Sequence, residues 1–330
     1  MSAIETSKLT KVFGKLRAVD GIDLAVNQGE IFGLLGPNGA GKTTFIKMLS
    51  TTLKITSGSA RVSGFNVQED PDNVRKSIGI VFQEPAVDIE LTGRENLDFH
   101  ARMYGMNRRD RGKRIASVLK LVELEDKADA LLKTYSGGMK RRLEIARGLM
   151  HHPRVLFLDE PTLGLDAQTR RVIWEHIRKI NREFGITIIL TTHYMEEADY
   201  LCSRVSIMDQ GKILASGSPG QLRSSIGADI VSVKTPGPKK LESGLKKFKW
   251  VEKTKIHDSH ISISLKNGET RIPQIIRTAE TLKLKVESVE LHKPTLEDVF
   301  IHFTGRKIRD EEDSKYMMRT MARMHGRGGH

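Results

Sequence analysis

The sequence predicts an α/β fold, in which a phosphate-binding-loop core carries an antiparallel β edge and a helical insertion and is followed by a small α+β domain. Three observations predict it. Residues 36–44 form a glycine-rich stretch between a strand pattern and a helix pattern. Two mainly apolar runs, the fully apolar residues 155–158 and residues 186–190, have the composition of buried parallel strands. Residues 2–35 alternate apolar and polar positions, which is typical of antiparallel strands.

The glycine-rich stretch fits the phosphate-binding pattern G-x-x-x-x-G-K-[ST]. It reads Gly36, Pro37, Asn38, Gly39, Ala40, Gly41, Lys42, Thr43 and Thr44. Glycines let successive amides face one anion, and the helix that follows adds its positive dipole end. Lys42 can then reach the β- and γ-phosphates, and the Thr43 hydroxyl can bind Mg²⁺. The alternative is a loop that merely turns a strand into a helix.

The two apolar runs lead to groups suited to hydrolysis. Asp159 and Glu160 follow the first run, and His193 follows the second. Because the carboxyl ends of parallel strands meet at one sheet edge, we expect these groups beside the loop. Asp159 can hold Mg²⁺ through water, Glu160 can orient or deprotonate an attacking water, and His193 can hydrogen-bond a γ-phosphate or that water. Solvated acids and a structural histidine are the alternatives.

Two further residues have open interpretations. Gln83 follows the strand-like run 78–82, at an edge where ligands bind in open α/β sheets, but a surface loop explains it equally well. Phe13 precedes a short strand and can stack on a purine, although taken alone it fits a core residue better.

A second anion site is predicted where Ser136 caps a helix that begins with Gly137 and Gly138. The apolar stripe of this helix leaves Arg141 off it, among other basic residues. One chain would rarely need two anion sites for one triphosphate. If both sites hold the same phosphates, two chains must face each other.

Composition limits the classes of function. The 330 residues suit one large and one smaller domain, and no apolar stretch approaches the roughly 18 residues of a membrane span. The single cysteine, Cys202, rules out an internal disulfide and fits a reducing cytosol. The net charge of +13 fits a generally basic surface or an anionic membrane, but with only five tyrosines and two tryptophans for stacking we expect no nucleic acid partner.

Taken in order, the motifs resemble those of the nucleotide-binding subunit of ABC transporters over roughly residues 2–226. The glycine-rich stretch is similar to the Walker A loop of a P-loop NTPase, Gln83 to the Q-loop, Ser136-Gly137-Gly138 to the signature motif, Leu158-Asp159-Glu160 to Walker B, Asp166 to the D-loop, His193 to the switch histidine and Phe13 to the adenine-stacking aromatic.

The resemblance implies ATP and Mg²⁺ as cofactors. The implied roles are phosphate binding by Lys42 and the amides of residues 39–44, Mg²⁺ binding by Thr43, Gln83 and Asp159, catalysis by Glu160 with His193 sensing the γ-phosphate, and contact of Ser136 and Gly138 with ATP held by the opposite subunit. It also implies a head-to-tail dimer of this chain around ATP, a separate transmembrane permease, and a cytoplasmic location on the inner face of the cell membrane.

The signature departs from the usual form, because Tyr135 and Met139 stand in place of Leu and Gln. Methionine cannot offer the amide hydrogen bonds of glutamine. This form and residues 293–300 resemble the drug-exporter branch typified by daunorubicin-resistance ATPases. The resemblance therefore implies an ATPase that powers export of a drug-like or lipophilic substrate. The alternatives are an importer ATPase, or a soluble ABC-type ATPase that acts on ribosomes or DNA.

We expect an ATP-binding domain over residues 2–226, with its helical insertion at about residues 88–152. Residues 227–305 follow a β-α-β-β-α-β order, which suggests a ferredoxin-like accessory domain with a role in regulation or dimer contact. Residues 306–330 are charged and Met-rich, and we expect them to be disordered.

Overall fold

The computed structural model describes residues 1–227 and 229–304. It divides into two compact units between Pro219 and Gly220, whereas the sequence patterns placed the boundary after residue 226. The expected disordered tail, residues 306–330, lies outside the described residues. Within the described ranges no helix combines the length and the apolar character that are needed to cross a bilayer.

The strands of the first unit form two sheets. They are β1 (Ser2–Phe13), β2 (Leu16–Asn27), β3 (Ile31–Leu35), β4 (Ser57–Val62), β5 (Phe65–Asn66), β6 (Ile78–Val81), β7 (Val155–Asp159), β8 (Thr187–Thr192), β9 (Arg204–Asp209) and β10 (Lys212–Gly217). The antiparallel sheet has the order β2-β1-β4-β5, and the larger sheet has the order β10-β9-β3-β8-β7-β6. All neighbours in the larger sheet are parallel except β9 and β10.

The central strands are rich in apolar residues, as is typical of a parallel sheet that is covered on both faces. Every residue of β3, β7 and β8 is buried. The register pairs Leu35 with Thr192 and Asp159 with Thr191, so these strands end at one level. The loops that follow them therefore begin at the same sheet edge, which positions the site.

The helices of this part are α1 (Lys42–Leu49), α2 (Pro71–Ser77), α3 (Gly93–Met103), α4 (Arg108–Leu121), α5 (Gly137–Gly148), α6 (Ala167–Phe184) and α7 (Met195–Leu201). A further helix, α8 (Pro219–Ser225), begins at the boundary between the two units. The insertion between β6 and β7 contains α3, α4 and α5. Thr92 opens α3 with a capping box, in which its side chain and that of Glu95 each bind the backbone N–H of the other residue. The α/β core with an antiparallel edge and a helical insertion is confirmed.

The second unit has the predicted β-α-β-β-α-β order. Its elements are β11 (Asp229–Lys234), α9 (Pro238–Leu245), β12 (Val251–His257), β13 (His260–Leu265), α10 (Gly268–Thr281), β14 (Ser288–His292) and a last helix, α11 (Leu296–Thr304). The strands form an antiparallel sheet of order β12-β13-β11-β14. Buried residues of alternate β11 and β13 positions pack with Leu241, Leu245 and Ile275 of the helices. This sheet confirms the α+β class of the smaller unit.

Candidate active site

The glycine-rich loop packs against neighbouring backbone too closely for larger residues. A Cβ atom at Gly36 would lie 2.2 Å from the carbonyl oxygen of Met208, and one at Gly41 would lie 2.1 Å from that of Ala18. Gly41 also has a φ of +104° and is the N-cap of α1. Glycine is therefore required at both positions, and the first turn of α1 faces the loop with unpaired N–H groups.

A cavity of about 640 Å³ opens above this loop. Its lining includes the loop, Gln83, Glu160 and Phe13. The Phe13 side chain is 46% exposed rather than packed in the core, with the Lys11 ammonium 4.9 Å from its ring centroid. The lining residues are Phe13, Leu16, Arg17, Ala18, Pro37, Asn38, Gly39, Ala40, Gly41, Lys42, Thr43, Thr44, Gln83, Glu160, Gln210 and Gly211.

Lys42 is buried at the floor of the cavity. Its ammonium donates to the carbonyl oxygens of Gly36 at 2.7 Å and Pro37 at 3.1 Å, and it lies 3.4 Å from Oε1 of Glu160. Burial lowers the pKa of Lys42, and the charges of Glu160 and Asp159 offset only part of that effect. An anion entering the loop would therefore compete with Glu160 for this ammonium.

Asp159 is the centre of a group of oxygen atoms. Its Oδ1 accepts hydrogen bonds from the hydroxyls of Thr43 at 3.1 Å and Thr191 at 2.5 Å. Its Oδ2 is buried and has no hydrogen-bond partner among the described residues. A buried carboxylate oxygen without a donor, on a residue that contacts the hydroxyl of the cavity-lining Thr43, fits Mg²⁺, which prefers oxygen ligands.

Glu160 joins the loop to the histidine. Its Oε1 lies 3.3 Å from Nδ1 of His193, and both side chains are less than a tenth exposed. Burial alone would raise the pKa of Glu160, but the hydrogen bond with His193 and the charge of Lys42 lower it overall. The side chain is thus a carboxylate held between two basic groups at the cavity wall.

The backbone of Glu160 is strained, with a φ of +48° in a residue that has a side chain. Its N–H donates to the Thr191 hydroxyl at 3.0 Å and to the Thr191 carbonyl at 3.2 Å. Thr191 therefore contacts both acidic residues. The sequence reasoning gave Thr191 no role, although its position just before His193 on an apolar strand indicated it.

The signature residues lie outside the cavity. Ser136 accepts a hydrogen bond from the Met139 N–H at 3.3 Å, and both Ser136 and Gly137 are exposed. A Cβ atom at Gly138 would lie 2.4 Å from Cγ2 of Thr169. This close approach places the start of α5 against the start of α6.

Asp166 also does not line the cavity, because its carboxylate is the N-cap of α6. It accepts from the N–H of Thr169 at 2.9 Å and from its hydroxyl at 2.6 Å, which lowers the pKa of Asp166. Lys42, Gln83 and Glu160 thus line the cavity, whereas Ser136 and Asp166 lie at helix starts outside it.

Family models match both parts of the chain. The "ABC transporter" model matches residues 19–163. The model described as "ATP-binding protein DrrA1-3-like, C-terminal domain" matches residues 217–304.

Three curated relatives span nearly the whole chain. Daunorubicin resistance ATP-binding protein DrrA2 of Streptomyces coeruleorubidus is 37% identical, covering 94% of this chain and 97% of the relative. Linearmycin resistance ATP-binding protein LnrL of Bacillus subtilis is 38% identical, covering 93% and 100%. Nod factor export ATP-binding protein I of Paraburkholderia xenovorans is 40% identical, covering 94% and 99%.

Solved structures match the larger unit. CbiO1 of Clostridium perfringens, described as part of an ABC transporter complex, has a TM-score of 0.64 and 29% identity over 68% of this chain and 91% of its own. A dimeric, post-hydrolysis ATP-binding cassette bound to ADP and Pi has a TM-score of 0.59 and 28% identity over 65% and 98%.

Proposed function

The chain belongs to the ABC transporter family of ATP-binding proteins, and we propose that two copies close head-to-tail around two Mg²⁺-ATP to drive export through a separate permease. As a member of this family, the chain binds ATP and couples ATP hydrolysis to transport. The dimer, the Mg²⁺, the residue roles, the direction of transport and the partner belong to the proposal.

The single observation that supports the dimer best is the division of the predicted site. The cavity contains the loop, Lys42 and Glu160, while Ser136 and Gly137 are exposed elsewhere on the same unit. A helix start with exposed glycine amides attracts anions. The γ-phosphate of ATP in the cavity would then meet the partner's Ser136, so each chain supplies half of each centre.

In the proposed mechanism the phosphates of ATP enter the loop and form an ion pair with the Lys42 ammonium. This ion pair weakens the contact between Lys42 and Glu160. The freed carboxylate of Glu160 accepts a proton from the water whose oxygen bonds to the γ-phosphorus. The bond from that phosphorus to the β–γ bridging oxygen breaks, and ADP and inorganic phosphate leave. His193 keeps the carboxylate or the γ-phosphate in place. Phe13 stacks on the adenine. Thr43, Asp159 and Gln83 would hold the Mg²⁺, which when bound neutralises charge on the phosphate oxygens.

The ATPase rate tests the roles and the dimer together. The rate per chain should rise with protein concentration, because only paired chains hydrolyse ATP. Glu160→Gln should still bind ATP and associate but should lose roughly 10²–10⁴-fold in rate, as expected for loss of a general base. A rate per chain that depends neither on concentration nor on loss of Ser136 would overturn the dimer. A near-normal Glu160→Gln rate would remove Glu160 from its role.

Export is the direction that the relatives support, since two are named for drug resistance and one for Nod factor export. We propose a drug-like or lipophilic substrate, with specificity in the permease. The insertion carries exposed apolar side chains on and before α3, namely Ile89 (50%), Phe99 (62%) and Met103 (71%). Such a patch suits a permease segment, which would hold the chain on the inner face of the membrane.

Purification from membranes tests the partner. The wild-type chain should co-purify with a membrane protein, and Phe99→Ser/Met103→Ser should lose that protein while keeping ATP binding. Co-purification with ribosomes, or with a permease and a substrate-binding protein, would contradict export.

A further inference from the structure

Helix α5 carries a row of charged side chains spaced three residues apart, Arg141, Glu144 and Arg147. Arg141 is 7% exposed and Glu144 is 3% exposed, and they form an ion pair at 2.9 Å. Buried charges are uncommon unless each has partners. Arg141 lies off the apolar stripe of α5, so its burial calls for an explanation.

Arg141 bonds three backbone carbonyls from two distant segments. Its Nη2 donates to the oxygen of Glu160, its Nε to that of Pro161 and its Nη1 to that of Phe82, each at 2.8 Å. The planar guanidinium presents donors in several fixed directions, which a lysine ammonium cannot reproduce. Arg141 thus ties the residue before Gln83 to the backbone of Glu160.

The contact with Glu160 matters because that residue is strained. Its left-handed backbone is held at the N–H by Thr191 and at the carbonyl by Arg141. Strained residues persist only where their surroundings over-determine them. The Glu160 carbonyl also accepts from the N–H of Leu163 at 3.2 Å. Arg141 therefore supplies the side-chain restraint, beside backbone bonds, that fixes where the Glu160 side chain begins.

The rest of the row holds the segment after Gln83. Oε1 of Glu144 accepts from the N–H of Ala86 at 3.0 Å, and Nη1 of Arg147 donates to the carbonyl of Ala86 at 2.9 Å. With Arg141 on Phe82, the row binds both sides of the Gln83 turn. The segment that enters the helical insertion is thereby held by α5, the helix that also bonds the Glu160 carbonyl.

We propose that Arg141 is a positioning residue for hydrolysis, which fixes the Glu160 carboxylate and makes its position depend on the Gln83 segment. This inference rests on the proposed role of Glu160. A shift of the insertion that moves α5 or residues 82–86 moves the Glu160 carbonyl as well. Arg141 itself touches neither ATP nor water in this scheme.

The main test is the double variant Arg141→Met/Glu144→Gln. It removes both charges, so no buried carboxylate is left unpaired, and the glutamine oxygen can still accept from Ala86. The Kd for ATP should stay unchanged while kcat falls roughly ten- to a hundredfold, as expected for a misplaced catalytic group. Arg141→Lys keeps the charge but has fewer directed donors. Its kcat should lie between those of the double variant and the wild type.

Arg114→Met is the matched control. Arg114 is also buried, at 8% exposure, and its guanidinium also donates to backbone carbonyls, those of Leu149 and Met150 at the end of α5. We expect a comparable loss of stability with kcat unchanged.

Hydrogen exchange adds a readout that does not need hydrolysis. In both Arg141 variants, the amides of residues 82–88 and of residues 160–163 should both exchange faster than in the wild type. In the control, only the amides of residues 149–152 should exchange faster. If the double variant does not fold, Arg141→Lys tests the proposal through the same three measurements, kcat, the Kd for ATP and hydrogen exchange.

Three results would overturn the inference: a normal kcat in the folded Arg141 variants, a loss confined to the Kd for ATP, or an equal loss of kcat in Arg114→Met. Failure of the proposed function is recognised separately, by a wild-type rate that Glu160→Gln does not reduce.

Discussion

Thr191→Val tests the arrangement around the two acidic residues. Thr191 is fully buried, and its hydroxyl donates to Oδ1 of Asp159 at 2.5 Å while accepting from the N–H of Glu160 at 3.0 Å. Valine keeps the shape and removes only the hydroxyl. Asp159 would then keep Thr43 alone as a donor, whereas the Glu160 N–H would keep the Thr191 carbonyl at 3.2 Å.

The expected loss follows from these contacts. A hydrogen bond to a charged group contributes about 1.5–3 kcal/mol to the free energy of unfolding. Because the Glu160 N–H keeps an acceptor, we expect the total loss of unfolding free energy to be about 2–3 kcal/mol. Asp159 also loses the group that orients it, and losing such a partner of a metal ligand lowers metal affinity roughly 10–100-fold.

Urea unfolding without nucleotide measures the first effect, and the Mg²⁺ concentration for half-maximal ATPase measures the second. Thr187→Val is the matched control at the other end of β8. Its hydroxyl is also buried but accepts only from the N–H of Gly29 at 2.9 Å. It should destabilise the fold by about 1 kcal/mol, as for a neutral bond, and leave the Mg²⁺ dependence unchanged. An unchanged Mg²⁺ dependence in Thr191→Val, or an equal shift in the control, would refute the reasoning.

Further predictions concern the loop, the ring and a buried histidine. Gly41→Ala should abolish ATP binding, measured by titration, because its Cβ would lie 2.1 Å from the Ala18 carbonyl at a φ of +104°; near-normal affinity would contradict the loop geometry. Phe13→Ala should raise the Kd for ATP by about tenfold, from a stacking contribution of about 1–3 kcal/mol, with the urea midpoint unchanged because the ring is exposed. Burial and the charge of Arg147 lower the pKa of His100 from 6.5 to about 4, so the unfolded chain binds its proton first as the pH falls. The stability due to neutral His100 is present above pH 6.5 and is lost toward pH 4, about 2 kcal/mol by pH 5. His100→Gln should remove that part of the pH dependence of unfolding, and an unchanged slope would contradict it.

Much of the fold could be predicted because its signals are local. The apolar run before Asp159, the loop between β3 and α1, and the strand and helix order after residue 228 are each visible within a few residues. The cavity was also predictable in outline, because parallel strands bring Gly36, Asp159 and Thr192 to one edge.

The remainder depends on partners that lie far apart in sequence. Arg141 is charged and off an apolar stripe, and it is buried only because the carbonyls of Phe82, Glu160 and Pro161 converge on it. The strained φ of Glu160 and the double use of the Thr191 hydroxyl also arise from packing between segments. The spacing of apolar residues along the chain does not predict contacts between distant segments.

Mixing two inactive variants tests most directly whether each centre is built from two chains. Ser136→Glu places a negative charge at the exposed helix start, where the phosphate would bind. Glu160→Gln removes the proposed general base from the cavity. In a mixed pair, the intact cavity of one chain faces the intact helix start of the other. Random pairing should then restore on the order of a quarter of the wild-type ATPase rate. Mixing Ser136→Glu with the double variant Ser136→Glu/Glu160→Gln should restore none. A first mixture no more active than its two components measured separately would contradict the shared centre.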